Sequence, residues 1–589
     1  MHDRWFKWTV VFIFFFLLGT RGLNEPDEGR YGEIGREMAE TGDWLVPNIW
    51  YVPHLDKPPM TYWLAGMSIA AFGLNEWAIR LPFALCGLSG VWAMYLLGLS
   101  LGGRRVGQWS GLILSCSLLY FAISRFVMTD IILLQFICWT IYFGWQAWRC
   151  LDEPADEADA NDEDPDFTPE QLAKGRGAKA SFLWQMAAWA MMAGGFLTKG
   201  PLIFLIPAFA FIPLLIWQRK QKHRFSIIMI ALIPGLTLFA ILALPWYLLV
   251  FDHIKEAFDY MVKGQVVGHA LKAAAKNRGG PVYYFVPILL FGFLPWTLLL
   301  GWLWRKAHWC GLSQVQKEGW VMLSGWSVLT FVFFSINSAK LPHYILPMMP
   351  PLAVMVALRW RDWEKAEECP RWAWRGVMVS PLVAMLAIPF VYRFAFKITD
   401  QNWIWVQAGV ALMAAVALPL IGRKWEPVRC VQTAIVLSLL NLFLLVGLMP
   451  MVESRFRSNQ SLKELGGALV DEFEDTDEIV IYGRIPQGLP LYTWPIINQH
   501  QRPWFLHLPQ HRMPYHFPGN QARLADLTLA DFPALESMTE TNRVLVIGWS
   551  GAHNAVTANL TNTSFTMIKK SGHWELFSSD RPESSSKSE

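Results

Sequence analysis

The residues able to do chemistry in this chain are few, and they sit between long apolar runs. The richest stretch is LNEPDEGRYGEIGREMAETGDWLVPNIWYVPHLDKPPMTYWL, residues 23–64. Pro26 stands where a helix can begin, with Asp27 and Glu28 in its first turn, where acids suit the helix dipole. Arg30 and Tyr31 follow as a cation–phenol pair. Farther on, Asp56 and Lys57 precede two prolines that stiffen the backbone and end any earlier helix. A lysine fixed there can meet a phosphate as a compact point charge.

Four more places carry polar groups. Asp130, in SRFVMTD, opens an apolar run, where an acid is costly enough to suggest a role. Lys199 lies in the short turn FLTKGP. Lys340 and Tyr344 lie in the proline-bounded SAKLPHYILP. The stretch GQVVGHALKAAAKNRGG adds His269, Lys272, Lys276 and Arg278. Each has a plainer reading. The helix from Pro26 can be a capped, solvated segment lying on a membrane surface. Lys57 can simply reach toward headgroups, Asp130 can be an N-cap, and a lone His is most often a structural hydrogen-bonder. Together they put two or three carboxylates and about six cations on one face, the equipment for handling a phosphate with an acid–base group nearby.

The elements that must hold these residues are membrane spans. Of 589 residues 53% are apolar and 16% charged, against about 25% charge in soluble domains, and the mean hydropathy is +0.28. The 32 Trp and 38 Phe suit bilayer interfaces. A net charge of +3 gives no argument for nucleic acid. The seven Cys form no C-x-x-C pair and read as small apolar residues. The apolar N-terminus has no small-residue cleavage site after it and reads as a retained first span.

Thirteen runs are long enough to cross a bilayer: 6–22, 80–101, 107–123, 129–148, 181–197, 201–217, 226–247, 283–303, 318–335, 341–358, 376–395, 403–421 and 431–450. Basic clusters at Arg104–Arg105, Arg219–Arg224, Arg305–Lys306, Arg359–Arg375 and Arg423–Lys424 then fall on one side, the cytoplasmic one. Segment 151–180 joins them as a cytoplasmic loop. The opposite side receives the loop 23–79, the turns carrying Lys199 and Lys340, and everything from 451 onward. That tail alternates a helix-like SLKELGGALVDEF with strand-like EIVIYG and RVLVIGW, which suggests a small α/β domain over 451–577. The polar residues 578–589 suggest disorder. The charges gather at one membrane face, which favours interfacial chemistry over a transporter with charges at mid-depth.

NEPDEGRYGEIGREM, GDWLVPN and LDKPPMTYWL, with RFVMTD, TKGP and SAKLPHYILP behind them, resemble the aminoarabinose transferases that modify lipid A. These belong to the membrane glycosyltransferases of GT-C type fed by polyprenyl-phosphate sugars, a group that includes the protein mannosyltransferases. The likeness covers residues 1–450; the tail matches no motif. It implies thirteen spans followed by an outer α/β domain, in a bacterial inner membrane with the site on the periplasmic side. It implies an undecaprenyl-phosphate-linked sugar donor and a lipid A-type acceptor, with polysaccharide or protein acceptors and a polyprenyl-lipid flippase as alternatives. By the same likeness Asp27 is the essential acid and Asp130 a second one near the cavity. Arg30, Tyr31, Lys57, Lys199, Arg278, Lys340 and Tyr344 gather round the donor phosphate. Asp56 stands where the family has Glu, a carboxylate that in zinc-bound members is a metal ligand beside a later His. His269 is the nearest match, which leaves a thin zinc site.

Overall fold

The computed structural model describes residues 3–151, 177–218, 229–262, 280–304, 309, 311–365, 376–381, 409, 433, 436–438, 461–500, 505–507, 528–529, 531–560 and 562–580. His269, Arg278, most of segment 151–180 and most of the last three expected spans lie outside them.

The membrane part is a bundle of helices. Among the described residues Glu76–Cys116, Thr129–Arg149, Leu232–His253 and Gln314–Ile336 are long and apolar enough to cross a bilayer. The chain is a multi-pass membrane protein. Ala178–Lys199 and Leu202–Trp217 occupy two further expected spans. The expected span 80–101 and the first part of 107–123 form one element, Glu76–Cys116, that breaks at Gly102 and Gly103, whose φ is +81°; the rest of the second span is a separate helix, Leu118–Ser124. A left-handed backbone is where glycine is favoured, and Arg104–Arg105 follow at once. The expected span 283–303 is a broken one: Val282–Gly292 and Trp296–Trp302 meet at a bend of 119° around Pro295. One apolar helix, Met60–Phe72, was not expected; at 13 residues it is too short to cross alone.

The first outer loop also departs from expectation. Its helix, Asp27–Thr41, starts after Pro26 as the sequence suggests, but ten of its fifteen residues are buried, Glu28, Glu33, Arg36 and Glu37 among them. It is an internal layer rather than a segment afloat on headgroups. Gly35 lets its backbone come down on Met60–Phe72: a Cβ there would meet Ala65 Cβ at 2.8 Å and Gly66 N at 2.9 Å. The charged residues survive burial by pairing, as Arg36 does with Glu33 at 2.6 Å and with Glu40.

Residues 461–580 build a six-stranded sheet. Thr528–Leu529, Phe505–His507, Glu478–Tyr482 and Val544–Trp549 run parallel in that spatial order. Trp574–Ser579 and Phe565–Ser571 close the edge antiparallel. The two strands read from sequence are the central parallel pair, and the last strand continues to Ser579, two residues past the expected limit. The segment that follows Glu478–Tyr482, together with the helix Leu489–His500, packs against the first outer loop.

Candidate functional site

A knot of buried charge fixes the start of the first-loop helix. Glu28, 1% exposed, accepts from Arg21 at 2.5 and 2.9 Å and from Arg80 at 3.0 and 3.1 Å. The backbone N–H groups of Asn24 and Val127 donate to it at 3.0 and 3.2 Å. Burial alone would raise its pKa, but Arg21 and Arg80 hold it down to about 2. The rest of the Arg80 guanidinium is spent on the carbonyls of Leu18, Arg21 and Gly22. Every lone pair of Glu28 is taken, so this acid anchors and does not react.

One residue earlier, Asp27 keeps a side chain 48% exposed and pairs with Arg30. Arg30 lies over the Tyr31 ring, its carbon 5.4 Å from the centroid, and its Nε is buried without a hydrogen-bond partner. Tyr31 packs against Tyr62 at 5.9 Å. Asp27, Arg30 and Tyr31 thus form one group in which Asp27 is the exposed member and Tyr31 is buried, with an unpaired, buried Nε on the arginine.

The second group lines a cavity of ≈ 860 Å³. Its body is apolar, formed by Leu133, Leu134, Ile137, Phe196, Leu202 and Leu244 with other side chains. Its polar end holds Asp56, Lys57, Asp130, Lys199 and Tyr344. Asp130 sits in the first turn of Thr129–Arg149 behind Met128, which holds the cap position; the N-cap reading is not what this acid does. Its Oδ1 takes a hydrogen bond from Lys199 Nζ at 2.8 Å. Lys199 is the last residue of Ala178–Lys199. An acid at one helix N-terminus and a base at a neighbouring C-terminus both suit the helix dipoles. Lys199 Nζ also stands 5.6 Å from the centroid of the Tyr344 ring.

Lys57 reaches the cavity from the Pro58–Pro59 corner that starts Met60–Phe72. Burial and the neighbouring Lys199 push it down to about 8, against the pull of Asp56 and Asp130. Asp56 accepts from the Tyr260 hydroxyl, and its other oxygen lies 3.7 Å from His54 Nε2. Burial lowers His54 to about 4, so its imidazole is neutral at pH 7. The two groups share one field: Arg30 and Asp56 act on each other's charge, as do Arg30 and Lys57.

Lys340 is not brought to the cavity wall. Its ammonium is 2.7 Å from the carbonyl of Ser335 and 2.8 Å from that of Asn337, with Phe334 at 3.4 Å. It closes the C-terminus of Gln314–Ile336, as a cation can. Arg278 and His269 lie outside the described residues. The sequence reading missed three neighbours of the site: His343, 3.7 Å from Asp130, His54, and Tyr260. His343 stood in plain view inside SAKLPHYILP. His54 lies two residues before Asp56, but nothing in its spacing tells a buried neutral imidazole from an exposed one.

No group of three or more His, Cys, Asp or Glu converges as a metal site among the described residues. Asp56 with His54 supplies two donors, short of the three protein ligands of an open zinc site or the four of a closed one. These residues alone do not fit zinc.

Residues 56–153 match the family described as dolichyl-phosphate-mannose-protein mannosyltransferase. An undecaprenyl phosphate-alpha-4-amino-4-deoxy-L-arabinose arabinosyl transferase of Edwardsiella ictaluri is 31% identical over 356 residues, 60% of this chain and 58% of that protein. The chain thus spans under two thirds of that relative. One of the same description from Serratia proteamaculans is 26% identical over 71% of this chain and 73% of its own. In solved structures, ArnT from Cupriavidus metallidurans bound to undecaprenyl phosphate superposes with a TM-score of 0.76 at 20% identity, covering 98% of both chains. That likeness establishes the fold. The family resemblance read from the first outer loop is borne out.

Proposed function

We propose that this chain, kin to the aminoarabinose transferases, is a membrane glycosyltransferase. It moves a sugar from a polyprenyl-phosphate donor to a lipid A-type acceptor at the periplasmic face of the inner membrane, within a bundle of thirteen spans. The sugar in this reading is 4-amino-4-deoxy-L-arabinose, after the relatives' names. One observation carries it: a largely apolar cavity of ≈ 860 Å³ whose wall carries Lys57, Asp130 and Lys199 suits a molecule with a hydrocarbon chain and a phosphate.

In the reaction an acceptor oxygen attacks the anomeric carbon, and the bond from that carbon to the phosphate oxygen breaks. The leaving polyprenyl phosphate keeps the electron pair. Lys57, Lys199 and the nearby Arg30 cation stabilise charge that grows as the bond breaks, so their effect is larger in the transition state than in the bound donor. Asp27, the exposed acid of the site, takes the proton from the acceptor oxygen or aligns it. A divalent ion on Asp56 would need ligands from beyond the described residues; metal analysis of the purified protein tests that assignment, and no step here depends on it.

The test is transfer of radiolabelled sugar from synthetic polyprenyl-phosphate donors by purified protein, with lipid A and a control lipid offered as acceptors. Wild type transfers to lipid A. Asp27→Asn loses about 10²- to 10⁴-fold in kcat while the protein inserts and folds normally. Intact donor carried across liposomes with no transfer to any acceptor overturns the enzyme reading in favour of a flippase.

A further inference from the structure

The helix that carries Asp27 and Arg30 is gripped from outside the membrane part. Glu25, two residues before Asp27, accepts a hydrogen bond from the backbone N–H of Gly488 at 2.8 Å. Gly488 ends the segment that leaves the central strand Glu478–Tyr482 of the outer sheet. At the same point two glycine backbones touch. A Cβ on Gly488 would fall 2.7 Å from Gly29 Cα and 2.5 Å from Glu25 Oε1, closer than real Cβ atoms come. Flanking contacts extend the seam: Tyr492 O–H accepts from Leu23 N at 2.7 Å, Trp50 Nε1 donates to the Gln487 carbonyl at 3.3 Å, and Arg36 stacks on Trp494 at 4.8 Å. The grip therefore acts on residues 23–36, with Asp27 and Arg30 inside it.

We propose that the outer domain is a working part of the active site: through Gly488 and Glu25 it holds the first turn of Asp27–Thr41, and so Asp27 and Arg30, in their reacting positions. This rests on the transferase reading above. Glu25, Gly29 and Gly488 are positioning residues; none of them has to touch substrate. Misplacing a reacting group by about 1 Å can cost about 100-fold in rate, and no side chain larger than hydrogen fits the Gly29–Gly488 contact without moving one of the two backbones. Glu25 serves as an acceptor, not as a charge. Burial pushes it up to about 8, opposed by the Gly488 N–H, Arg30 and Arg484, so at pH 7 it holds its proton and a glutamine can replace it.

The experiment uses the full chain in detergent with a polyprenyl-phosphate sugar donor, comparing wild type with Gly488→Ala, Glu25→Ala and Glu25→Gln. Gly467→Ala, where a Cβ meets open space, is the control within the same domain. Gly488→Ala and Glu25→Ala are expected to lose about 10- to 100-fold in kcat with donor KM within about threefold of wild type; Glu25→Gln and Gly467→Ala stay within about threefold in both. Hydrogen exchange of the amides of residues 25–31 is expected to quicken in Gly488→Ala alone of the two glycine variants. Unchanged kcat in Gly488→Ala, or exchange no faster than wild type, overturns the proposal. So does a Glu25→Gln variant as slow as Glu25→Ala, which would make the charge itself the active feature. If wild type transfers nothing, the transferase reading fails, and the exchange measurement still decides whether the grip exists.

Discussion

Two sets of buried charge lie side by side in this molecule and have opposite properties. Around Glu28, six donors from Arg21, Arg80, Asn24 and Val127 converge on two oxygens. Nothing is left over. At the mouth of the apolar cavity, Lys57 is pushed toward neutrality by burial and Lys199, and Lys199 divides itself between one carboxylate oxygen and an aromatic face. Charge saturated by its own chain fixes geometry; charge left short of partners at a cavity wall is fit to take a ligand. Counting acids and bases does not separate the two, since both sets draw residues from the same outer loop.

The largest expected effect separates them by stability. Arg80→Ala leaves Glu28 buried beside one arginine instead of two, a loss of about 3–5 kcal/mol. It should appear as a collapse in folded yield and melting temperature, with an unaltered donor KM in whatever folds. A smaller change in the opposite quantity is expected from Lys57→Ala: donor KM rises about 10- to 100-fold through loss of a charge-assisted contact, while the melting temperature holds. The pH profile refines this. Because Lys57 is lowered to about 8 from 10.5, its cation is present below pH 8 and fades above it. Donor KM of wild type should therefore climb above about pH 8, by up to about tenfold per unit, and the Lys57→Ala variant should lack that limb. The smallest effect tests which set Lys340 belongs to. With its ammonium on helix-end carbonyls, Lys340→Met should cost about 1–3 kcal/mol of stability and leave donor KM alone; a raised KM would return it to the cavity group.

Much of this was legible in the sequence because spacing and composition carry it. The apolar runs, the helix after Pro26 and the two inner strands of the sheet follow from residue type, which also marks Asp56, Lys57, Asp130, Lys199 and Tyr344, all found on one cavity wall; the preference for Asp27 over Glu28 comes from the family resemblance. What sequence could not supply is pairing across distance. Asp130 and Lys199 are 69 positions apart and meet only because two helices run antiparallel. Glu28 looks as reactive as Asp27 until Arg80, 52 positions on, closes over it. Lys340 and Lys199 sit in similar proline-bounded turns, yet one faces carbonyls and the other a cavity. The burial of Asp27–Thr41 is illegible in the sequence for a related reason: its acids and arginines give it a polar face in projection, and only internal pairing makes that face compatible with an interior.

The seam between Glu25 and Gly488 joins residues 463 positions apart. A ribosome makes the apolar cavity long before it makes the residue that steadies Asp27. The growing chain can therefore complete the cavity walls, the last of them at Pro347, yet the first-loop helix lacks its last contact until the sheet that leads to Gly488 has been made and folded. Activity would then mark the end of biogenesis, since a chain stalled between Pro347 and Gly488 has the cavity walls without the contact that steadies Asp27.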